Sequence, residues 1–418
     1  MTLTQWKSKS LGYILEKVVG GGTPSKANPQ YWDGDIPWAS VKDLSSTKLD
    51  DTADKISEEG LNNSASNLIP AETIVIPTRM ALGKVAITTQ AMAINQDLKA
   101  LFPSKEVCKS YLFQWLIFHA EQIASLGSGS TVKGIRLEQL KKIPFSYPTL
   151  KEEQQKIAEV LSTVDKKIDL IDQKIAETEK LKAGLMQKLF SEGVGVQDDN
   201  GEWQPHTEFQ DNGLPMHWSF LKLGSVAKVT SGGTPSRKKA SFWENGTIPW
   251  ITTGEVNFNC ITNSSQKITD EGLKNSAAKM FPPDTILMAM YGQGQTRGRV
   301  AMLGIEASTN QACAAIICSK KLNPHFCYHY LSSQYEKIRT IGNEGSQKNL
   351  NGQIIKDILI PCPNLEEQEQ IALVLSTVDE KITLLAKQKS ETQKLKKGLM
   401  QKLLTGEWRV PVEETEAA

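Results

Sequence analysis

The hexapeptide VLSTVD at residues 160–165 recurs without a change at residues 374–379, and GLMQKL at residues 184–189 recurs at residues 398–403. In each copy the apolar residues that run through the first of these segments and beyond it are spaced four and then three apart. This is the heptad pattern of a helix that pairs with another helix. Two matched seams in one chain predict that the two helices pair with each other. In a tandem duplication with pseudo-twofold symmetry, they would run antiparallel.

Each predicted long helix begins just after a proline, Pro148 in the first copy and Pro363 in the second. Two glutamates follow in the first turn, where carboxylates suit the positive end of the helix dipole. At 1.5 Å per residue, a helix of about 38 residues spans roughly 55–60 Å. The seam residues are Ile157, Leu161, Val164, Ile168, Ile171 and Ile175 in the first copy and Ile371, Leu375, Val378, Ile382 and Leu385 in the second.

The duplication extends far beyond the helices, at an offset that stays between 211 and 217 residues. A glycine turn, GGTPS, occurs at residues 21–25 and 232–236, and Asn-Gln follows at residues 95–96 and 310–311. A repeat this long is a duplicated domain rather than a solenoid unit. Each copy mixes β-rich runs with a helix before the seam, which indicates an α+β fold. We predict two tandem α/β domains separated by two long helices that pair as an antiparallel coiled coil.

Domain boundaries follow from the repeat. They are residues 1–150 for the first domain, 151–193 for the central helix, 194–211 for an acidic linker, 212–363 for the second domain, 364–407 for the C-terminal helix and 408–418 for a tail.

The composition of the 418 residues allows sizeable cores, and the net charge is only +1. That average conceals a basic block, because residues 212–363 carry 16 Lys and Arg against 9 Asp and Glu. A local basic surface is what contact with phosphates requires. No apolar run reaches membrane-spanning length and no secretory signal is evident, so we expect a cytoplasmic protein with no membrane contact. The six cysteines form no C-x-x-C pair and are expected to be reduced thiols.

A search for catalytic motifs finds little. The loop at residues 291–298 contains G-x-G, but no helical periodicity follows it, and it lacks the Lys-Ser/Thr of a phosphate-binding loop. No base-methylation motif of the Asn-Pro-Pro-Tyr type, nuclease motif or nucleophile elbow is present. His325, Cys327 and His329 are a weak metal candidate, with an ordinary helix as the alternative. We expect no catalysis, metal or cofactor in this chain.

The polar loops differ between the copies, whereas the surrounding scaffold agrees. This is expected of two domains that recognise different DNA half-sites, although ordinary loop drift is the alternative. Arginine pairs with guanine and glutamine with adenine, while lysines and small residues suit phosphates. The repeated tryptophans, Trp32, Trp38, Trp243 and Trp250, are predicted to pack in the core. The candidate DNA-binding residues are Thr23, Ser25, Lys26, Arg79, Lys84 and Lys133 in the first domain and Thr234, Ser236, Arg237, Lys238, Gln293, Gln295, Arg297, Arg299, Gln347 and Lys348 in the second.

The GGTPS…W…IPW opening, the Asn-Gln pair and the P-x-L-x-E-x-Q-x-x-I-A pattern at residues 148–158 together resemble the specificity subunits of type I restriction–modification systems. The resemblance covers both copies. It implies a subunit without enzymatic activity whose two target recognition domains each read one half of a bipartite DNA site, while the helices fix the spacer. The family's helix motif falls on Gln154, Ile157, Leu161, Gln368, Ile371 and Leu375 as candidate partner-binding residues.

The same resemblance implies the partners. They are double-stranded DNA, two modification (methyltransferase) subunits and restriction (translocase and nuclease) subunits. S-adenosylmethionine, ATP and Mg would belong to those partner subunits. Two alternatives stay open from the residues alone, a self-contained DNA methyltransferase or nuclease and a coiled-coil scaffold with no DNA role.

Overall fold

The computed structural model describes residues 5–129, 133–292, 295–341 and 349–411. The chain divides into two compact units. Unit 1 comprises Met1–Asp172 and Lys387–Ala418, and unit 2 comprises Gln173–Ala386. Each unit therefore contains one copy of the duplicated domain, the first part of the long helix that follows it and the last part of the other long helix.

Unit 1 contains eleven strands among the described residues, numbered in chain order: β1 (Trp6–Ser10), β2 (Leu15–Gly20), β3 (Ile36–Ala39), β4 (Lys48–Leu49), β5 (Asp54–Ile56), β6 (Asn67–Ile69), β7 (Ile74–Pro77), β8 (Ala86–Thr88), β9 (Met92–Ile94), β10 (Leu98–Pro103) and β11 (Pro144–Pro148). Its short helices are α1 (Leu11–Ile14), α2 (Glu58–Asn62), α3 (Lys109–Phe118), α4 (Ala120–Ser125) and α5 (Leu137–Lys141), and the long α6 (Lys151–Leu189) starts here. Two 3-10 turns lie at Pro29–Trp32 and Val41–Asp43.

Three sheets organise this domain. One has the strand order β2-β10-β7-β8-β4, the second has the order β5-β3-β9-β6, and β1 pairs with β11. The pairs β3–β9 and β4–β8 are parallel and the other pairs are antiparallel.

Unit 2 repeats this plan. Its strands are β12 (Val196–Gln197), β13 (Trp203–Gln204), β14 (Ser219–Lys222), β15 (Ala227–Ser231), β16 (Ile248–Ile251), β17 (Cys260–Ile261), β18 (Gln266–Ile268), β19 (Met280–Phe281), β20 (Ile286–Ala289), β21 (Val300–Leu303), β22 (Ala307–Thr309), β23 (Cys313–Cys318) and β24 (Leu359–Cys362). Its helices are α7 (Leu223–Val226), α8 (Asp270–Lys274), α9 (Pro324–Ser333), α10 (Tyr335–Thr340), α11 (Gly352–Lys356) and the long α12 (Leu365–Leu404), with 3-10 turns at Ala240–Phe242 and Thr253–Glu255.

The sheet orders of unit 2, β15-β23-β20-β21-β17 and β18-β16-β22-β19, match those of unit 1 strand for strand. The parallel pairs, β16–β22 and β17–β21, also fall at the equivalent places. The predicted α+β fold with two tandem domains is therefore confirmed.

The long helices occupy residues 151–189 and 365–404, where the sequence predicts 151–193 and 364–407. Asn364 caps α12 by accepting a hydrogen bond from the Glu367 N–H at 2.8 Å. Beyond the helix ends, Gly193 and Gly406 adopt φ of 73° and 77°, the left-handed conformation that stops a helix. No helix in the described ranges is both long and apolar enough to cross a lipid bilayer.

The start of one long helix packs with the end of the other inside each unit. In unit 1, Ile157 and Leu161 share a core with Met400 and Leu403. Each fully buried aliphatic side chain contributes about 2 kcal/mol of hydrophobic free energy. Two ion pairs show the relative direction of the helices. Asp165 binds Lys396 at 2.6 Å, and Asp172, about two turns further along α6, binds Lys389, which comes earlier in α12, at 2.6 Å. The helix segments of unit 1 thus run antiparallel, as the sequence predicts.

Residues 194–211, predicted to be an acidic linker, are folded into unit 2. They form the β12–β13 hairpin and then bring His206 to 2.9 Å from the buried carboxylate of Glu367. Trp218 Nε1 donates to the other carboxylate oxygen at 2.8 Å, and the N–H groups of Val194 and Gly195 also donate to Glu367. A buried carboxylate requires such donors, so this segment is anchored rather than a free connection.

Candidate DNA interface

The glycine turn of each domain packs directly against the end of a central strand. The Gly22 N–H donates to the Ile94 carbonyl at 3.1 Å, and a Cβ on Gly21 would lie 1.8 Å from that same oxygen. In the second domain the Gly233 N–H donates to the Thr309 carbonyl at 2.9 Å. Only glycine allows this approach, so the turn is fixed against the Asn-Gln pair that follows the strand.

An asparagine shapes the tight turn after each of these strands. Asn95 is buried, and its side-chain oxygen accepts hydrogen bonds from the N–H groups of Asp97 at 3.0 Å and Leu98 at 3.1 Å. Asn310 accepts in the same way from the Ala312 N–H at 3.1 Å. The glutamine that follows each asparagine is therefore held at the surface by a rigid turn.

The threonine of each glycine turn binds that glutamine. The Thr23 hydroxyl donates to Gln96 Oε1 at 2.5 Å, and the Thr234 hydroxyl donates to Gln311 Oε1. Both glutamines are exposed. The sequence predicts the threonines as DNA contacts, but their hydroxyl protons are used on the glutamines. The glutamine amides are thus the donors that face outward from this part of each domain.

The tryptophans form hydrogen bonds to the backbone of the same glycine turns. Trp38 Nε1 donates to a carbonyl of the first glycine turn at 3.1 Å and Trp32 Nε1 does so at 3.3 Å, while their rings meet edge to face at 5.1 Å. Trp243 and Trp250 repeat the arrangement, with ring centroids 5.0 Å apart. The predicted packing role is confirmed for the buried Trp38 and Trp250, and their partners are half-buried.

In the second domain a cation is fixed on these rings. The Arg237 guanidinium carbon lies 3.6 Å from the Trp243 ring centroid, and its Nη2 donates to Gln266 Oε1 at 2.6 Å. Stacking on an aromatic face orients a guanidinium while leaving its charge exposed. Lys26 and Lys238 are exposed on the same turns as Ser25 and Ser236, and they remain predictions as phosphate contacts.

The first domain places its cations in a cleft of about 410 Å³ lined in part by Arg79, Lys99 and Arg136. Arg79 lies 3.8 Å from the nearly buried carboxylate of Asp97. Partial burial lowers the pKa of Lys99, and the charge of Arg79 acts in the same direction against the opposing effect of Asp97. Like charges converging on a concave surface attract a polyanion, so this cleft is the strongest candidate for DNA contact in unit 1.

Two other lysines of the first domain that the sequence predicts as DNA contacts differ in their hydrogen bonding. Lys84 is exposed, but its ammonium donates to the Leu44 carbonyl at 2.7 Å and so ties the loop down. Lys133 is exposed and immediately precedes Gly134, a residue that lines the cleft. Lys133 thus stays a candidate, whereas Lys84 has a structural role in addition to its charge.

The loop that carries Arg297 and Arg299 uses both arginines internally. Arg297 Nη2 donates to the Arg339 carbonyl at 2.6 Å, near the end of α10, where helix carbonyls need donors. Arg299 donates to Asn257 Oδ1 at 2.8 Å and to Gln295 Oε1 at 3.3 Å. The sequence predicts these arginines as base contacts, and in this structure they hold the loop instead. The predicted residues Gln293, Gln347 and Lys348 lie outside the described residues.

The helix residues predicted to bind partners are interior residues. Gln154 is buried, accepts from the Cys108 N–H at 2.7 Å and donates to the Pro148 carbonyl at 2.9 Å. Gln368 makes the equivalent bonds to Asn323 and Pro363. These glutamines satisfy backbone groups that burial would otherwise leave unpaired, which attaches each helix to its own domain. The four aliphatic members of the set, Ile157, Leu161, Ile371 and Leu375, are also fully buried.

The outward face of the long helices exposes leucines instead. Leu170 and Leu384 are 56% and 61% exposed, and they occupy equivalent positions of the two copies. Leu181 and Leu395, at 57% and 56%, form a second equivalent pair. Each unit thus contains one leucine of these two pairs on each helix segment, and Leu373, at 59%, is also exposed, at a position where the first copy has Glu159. The duplication therefore repeats these exposed apolar positions on both helices.

The weak metal candidate does not assemble. His329 is buried, its Nε2 lies 3.1 Å from the Ser376 hydroxyl, and burial lowers its pKa to about 3. His325 is exposed and lies 3.9 Å from Asp284. Within the described residues no group of three or more His, Cys, Asp or Glu side chains is arranged to hold a metal ion. All six cysteines are free thiols, of which Cys313 and Cys327 are buried and Cys260 is exposed.

Both copies match one family model, the type I restriction modification DNA specificity domain, over residues 4–180 and 215–394. The chain belongs to this family. The type I restriction enzyme MjaIX specificity subunit of Methanocaldococcus jannaschii is 27% identical over 411 residues, which cover 97% of this chain and 94% of that protein. The EcoR124I/EcoR124II specificity subunit of Escherichia coli is 34% identical over 162 residues, covering 38% and 40%.

Solved structures of the family share the fold. The S subunit of a type I restriction–modification system from M. genitalium superposes with a TM-score of 0.62 at 17% identity, covering 96% of both chains. A chain from a study of assembly and conformational transition in the type I R-M system gives 0.59 at 15% identity, covering 98% of this chain and 100% of the other. This member of the specificity family therefore carries two tandem specificity domains with mixed helix and sheet.

Sequence reasoning missed Lys99 and Arg136, two of the cations that line the cleft of the first specificity domain. Lys99 follows the Asn-Gln pair closely in the chain, and Arg136 comes from a helix cap distant in sequence. Neither belongs to a motif, and only the fold brings them to Arg79. Comparing the two copies position by position would have given one signal, because Lys99 and Arg136 correspond to the uncharged Ala314 and Asn351.

Proposed function

We propose that this chain is the non-catalytic, cytoplasmic subunit that directs a type I restriction–modification complex to its DNA target, with each specificity domain reading one half of a bipartite site. The observation that carries this proposal is the contrast between the copies. Their scaffolds agree in strand order, glycine turn and tryptophan packing, while their surface cations differ. Two readers of different half-sites need a shared fold and different contact residues.

The first domain would read its half-site through the cleft of Arg79, Lys99 and Arg136, with Lys133 beside it and Lys26 exposed on the glycine turn. The second would use Arg237 and Lys238 at the turn. The approximate boundaries are those of the repeat, residues 1–150 and 212–363. The proposed partner set is double-stranded DNA, two modification subunits and restriction subunits, and S-adenosylmethionine, ATP and Mg would be bound by those subunits.

The exposed leucines support two equivalent docking surfaces for the modification subunits. Leu170 and Leu384 occupy the same position of the repeat, as do Leu181 and Leu395. Two copies of one partner require two copies of one surface, which a duplicated helix supplies. Burying an exposed leucine against a partner yields about 2 kcal/mol, so a few leucines per surface are a meaningful part of a docking energy.

The decisive experiment maps methylated adenines in cells that contain the modification subunits with and without this chain. We expect methylation at both halves of one bipartite site only when the chain is present. Replacing residues 1–150 with the matching domain of another specificity subunit should change one half of that site and leave the other half. Methylation by the purified chain alone, or a site unchanged after the exchange, would refute the proposal.

The proposed spacing role has its own test. Deleting residues 172–178 together with residues 383–389 removes one heptad from each helix at the register set by the Asp172–Lys389 pair. Seven residues of helix span about 10 Å, or roughly three base pairs of DNA. We expect the mapped spacer to shorten by about that amount. An unaltered spacer in a folded, active complex contradicts the spacing role.

A further inference from the structure

Each specificity domain presents one exposed glutamine whose orientation is fixed by a threonine. Thr23 donates to Gln96 Oε1, and Thr234 donates to Gln311 Oε1. Because the amide oxygen already accepts this hydrogen bond, the amide nitrogen with its two N–H groups is the end that remains for a ligand. Neither amide nitrogen donates a hydrogen bond within the described part of the chain. The same donor is thus presented twice.

The support beneath each glutamine is also duplicated. The buried Asn95 and the half-buried Asn310 close the turn, and the glycine turn packs against the strand end with no room for a Cβ on Gly21 or Gly232. A donor on such a rigid turn loses little conformational entropy when it binds, because its position is already fixed. The geometry therefore suits a contact that must recur with the same register.

The two glutamines differ in the charged residues around them. Lys99 donates to the Gln96 carbonyl at 2.7 Å in the first domain, whereas Ala314 stands at the equivalent position of the second. Arg237 follows the second glycine turn, where the first has Lys26. Two half-sites of different sequence share one chemical feature, the phosphodiester backbone. A donor that is identical in both domains matches that shared feature, because contacts that read different bases would differ between the domains.

We propose that Gln96 and Gln311 each donate a hydrogen bond to a DNA phosphate oxygen at equivalent positions of the two half-sites, with Thr23 and Thr234 as positioning residues. This inference rests on the proposed function, since it requires that both domains bind DNA. It assigns the threonines an indirect role through the glutamine, rather than the direct contact that the sequence predicts.

The test uses the complex of this chain with its modification subunits and a duplex that contains the mapped target, with affinity measured by fluorescence anisotropy. A hydrogen bond to a charged group predicts that Gln96→Ala weakens binding by about tenfold or more. The same factor should apply to duplexes with altered bases in the first half-site. Gln311→Ala should act equally at the second half-site. Gln90→Ala is the matched control, because Gln90 is exposed but its amide already donates to the Asp50 carbonyl.

A scan of single uncharged methylphosphonates through the first half-site locates the contact. One position should weaken the wild-type complex and have no further effect on Gln96→Ala. Thr23→Val should produce most of the loss, Thr23→Ser should restore binding, and Thr23→Val combined with Gln96→Ala should be no weaker than Gln96→Ala alone. This last result separates positioning from a general structural effect, since unrelated losses would add.

Two results overturn the inference. One is a Gln96→Ala complex that binds as tightly as wild type, and the other is a loss confined to duplexes with one particular base pair, which makes the glutamine a base contact. A wild-type complex that does not distinguish its target from a scrambled duplex contradicts the proposed function itself. The three outcomes are distinguishable in one titration series.

Discussion

The carboxylate of Asp165 lies 2.6 Å from the ammonium of Lys396, across the antiparallel seam of unit 1. Unit 2 repeats the pair as Lys182 with Asp379, at 2.5 Å. In an antiparallel pair, each step forward along α6 is matched by a step backward along α12, so the two residue numbers of every facing pair have the same sum. The Asp165–Lys396 and Lys182–Asp379 pairs have the same sum, and the helix segments of each unit therefore pair in the same register. The duplication places an Asp near the start and a Lys near the end of each helix, and antiparallel pairing brings each Asp to the Lys of the other copy.

The Asp165–Lys396 pair predicts a charge-reversal result. Asp165→Lys places two ammonium groups face to face at a partly buried position, and we expect the free energy of unfolding to fall by about 1–2 kcal/mol. Adding Lys396→Asp should restore most of that loss. Urea denaturation followed by circular dichroism provides the measurement. Asp172→Lys is the matched control, with a smaller loss because Asp172 is more exposed. Failure of the double variant to recover would mean that the pair does not set the register.

His329 predicts that the stability of the protein depends on pH. It lies in unit 2 at the position that Gln114 occupies in unit 1. Burial, with nearby Lys182 and His325, lowers the pKa of His329 to about 3, although Asp379 lies 3.7 Å away. Because the folded pKa is below the unfolded value of about 6.5, the unfolded chain takes up the proton first as the pH falls. This group should therefore cost about 2 kcal/mol of stability at pH 5 relative to pH 7.5.

The variant His329→Gln supplies the control, since it copies a residue that already works at the same position of unit 1. We expect its stability to fall less than that of the wild type between pH 7.5 and pH 5, by about the same 2 kcal/mol. Unfolding midpoints in urea at several pH values measure the difference. Parallel pH profiles for the two proteins would show that His329 takes up its proton equally in both states.

The buried carboxylate of Glu153 predicts a strong effect from the C-terminal tail. Arg409 binds it through Nε at 2.7 Å and Nη2 at 2.8 Å, a two-point contact that only a guanidinium makes. Removing one partner of a buried pair is costly, so Arg409→Gln should lower stability by about 3 kcal/mol. Glu153→Gln combined with Arg409→Gln should be less damaging than Arg409→Gln alone. Equal thermal unfolding midpoints for all three proteins would contradict a buried ion pair.

The cleft of the first domain predicts an effect on one half-site. Lys99→Met and Arg136→Ala should each weaken DNA binding by the complex and reduce the salt dependence of the affinity by about one released counterion. Competition with duplexes altered in either half should place the loss in the first half-site alone. Lys109→Met is a control, because Lys109 lies in the same domain but pairs with Glu72 at 3.0 Å. Equal loss at both half-sites would indicate a nonspecific electrostatic effect.

Arg297 should behave differently from the cleft residues. It donates to the Arg339 carbonyl, so Arg297→Ala removes a bond within the second domain. We expect a lower unfolding midpoint together with weaker binding of the second half-site, whereas Arg136→Ala, at an exposed position of the cleft, should leave the midpoint unchanged. Thermal denaturation measured beside the binding assay distinguishes the two. An Arg297→Ala protein of wild-type stability with altered base preference would restore the direct role that the sequence predicts.

The exposed leucines predict selective loss of partner binding. Leu170→Glu and Leu384→Glu each place a charge at more than half-exposed positions, so neither should affect the folding of the chain. Each should remove part of one docking surface and reduce the number of modification subunits bound from two to one. Mass measurement of the assembled complex reports that number. Val160→Glu, at a less exposed position of the same helix, is a comparison. Full assembly by the Leu170→Glu and Leu384→Glu double variant would exclude these leucines.

The sequence by itself determined the parts of this protein that repeat. The duplicated VLSTVD and GGTPS segments predicted two α+β domains, and the heptad spacing predicted two long helices that run antiparallel. These properties depend on local periodicity and on comparison of one copy with the other, which a single chain carries in full. The tryptophan packing was predicted for the same reason, since equal residues at equal spacing serve an equal scaffold.

Only the tertiary structure decided which polar side chains face outward. Gln154 and Gln368 fit a partner-binding motif, yet they satisfy buried backbone groups of their own domain. Arg297 looked free in its loop, and the carbonyl that it binds belongs to a helix 42 residues away. A side chain with several donors is claimed by whichever acceptor the fold brings near, and that acceptor is set by contacts distant in sequence. The cleft of Lys99 and Arg136 exists for the same reason.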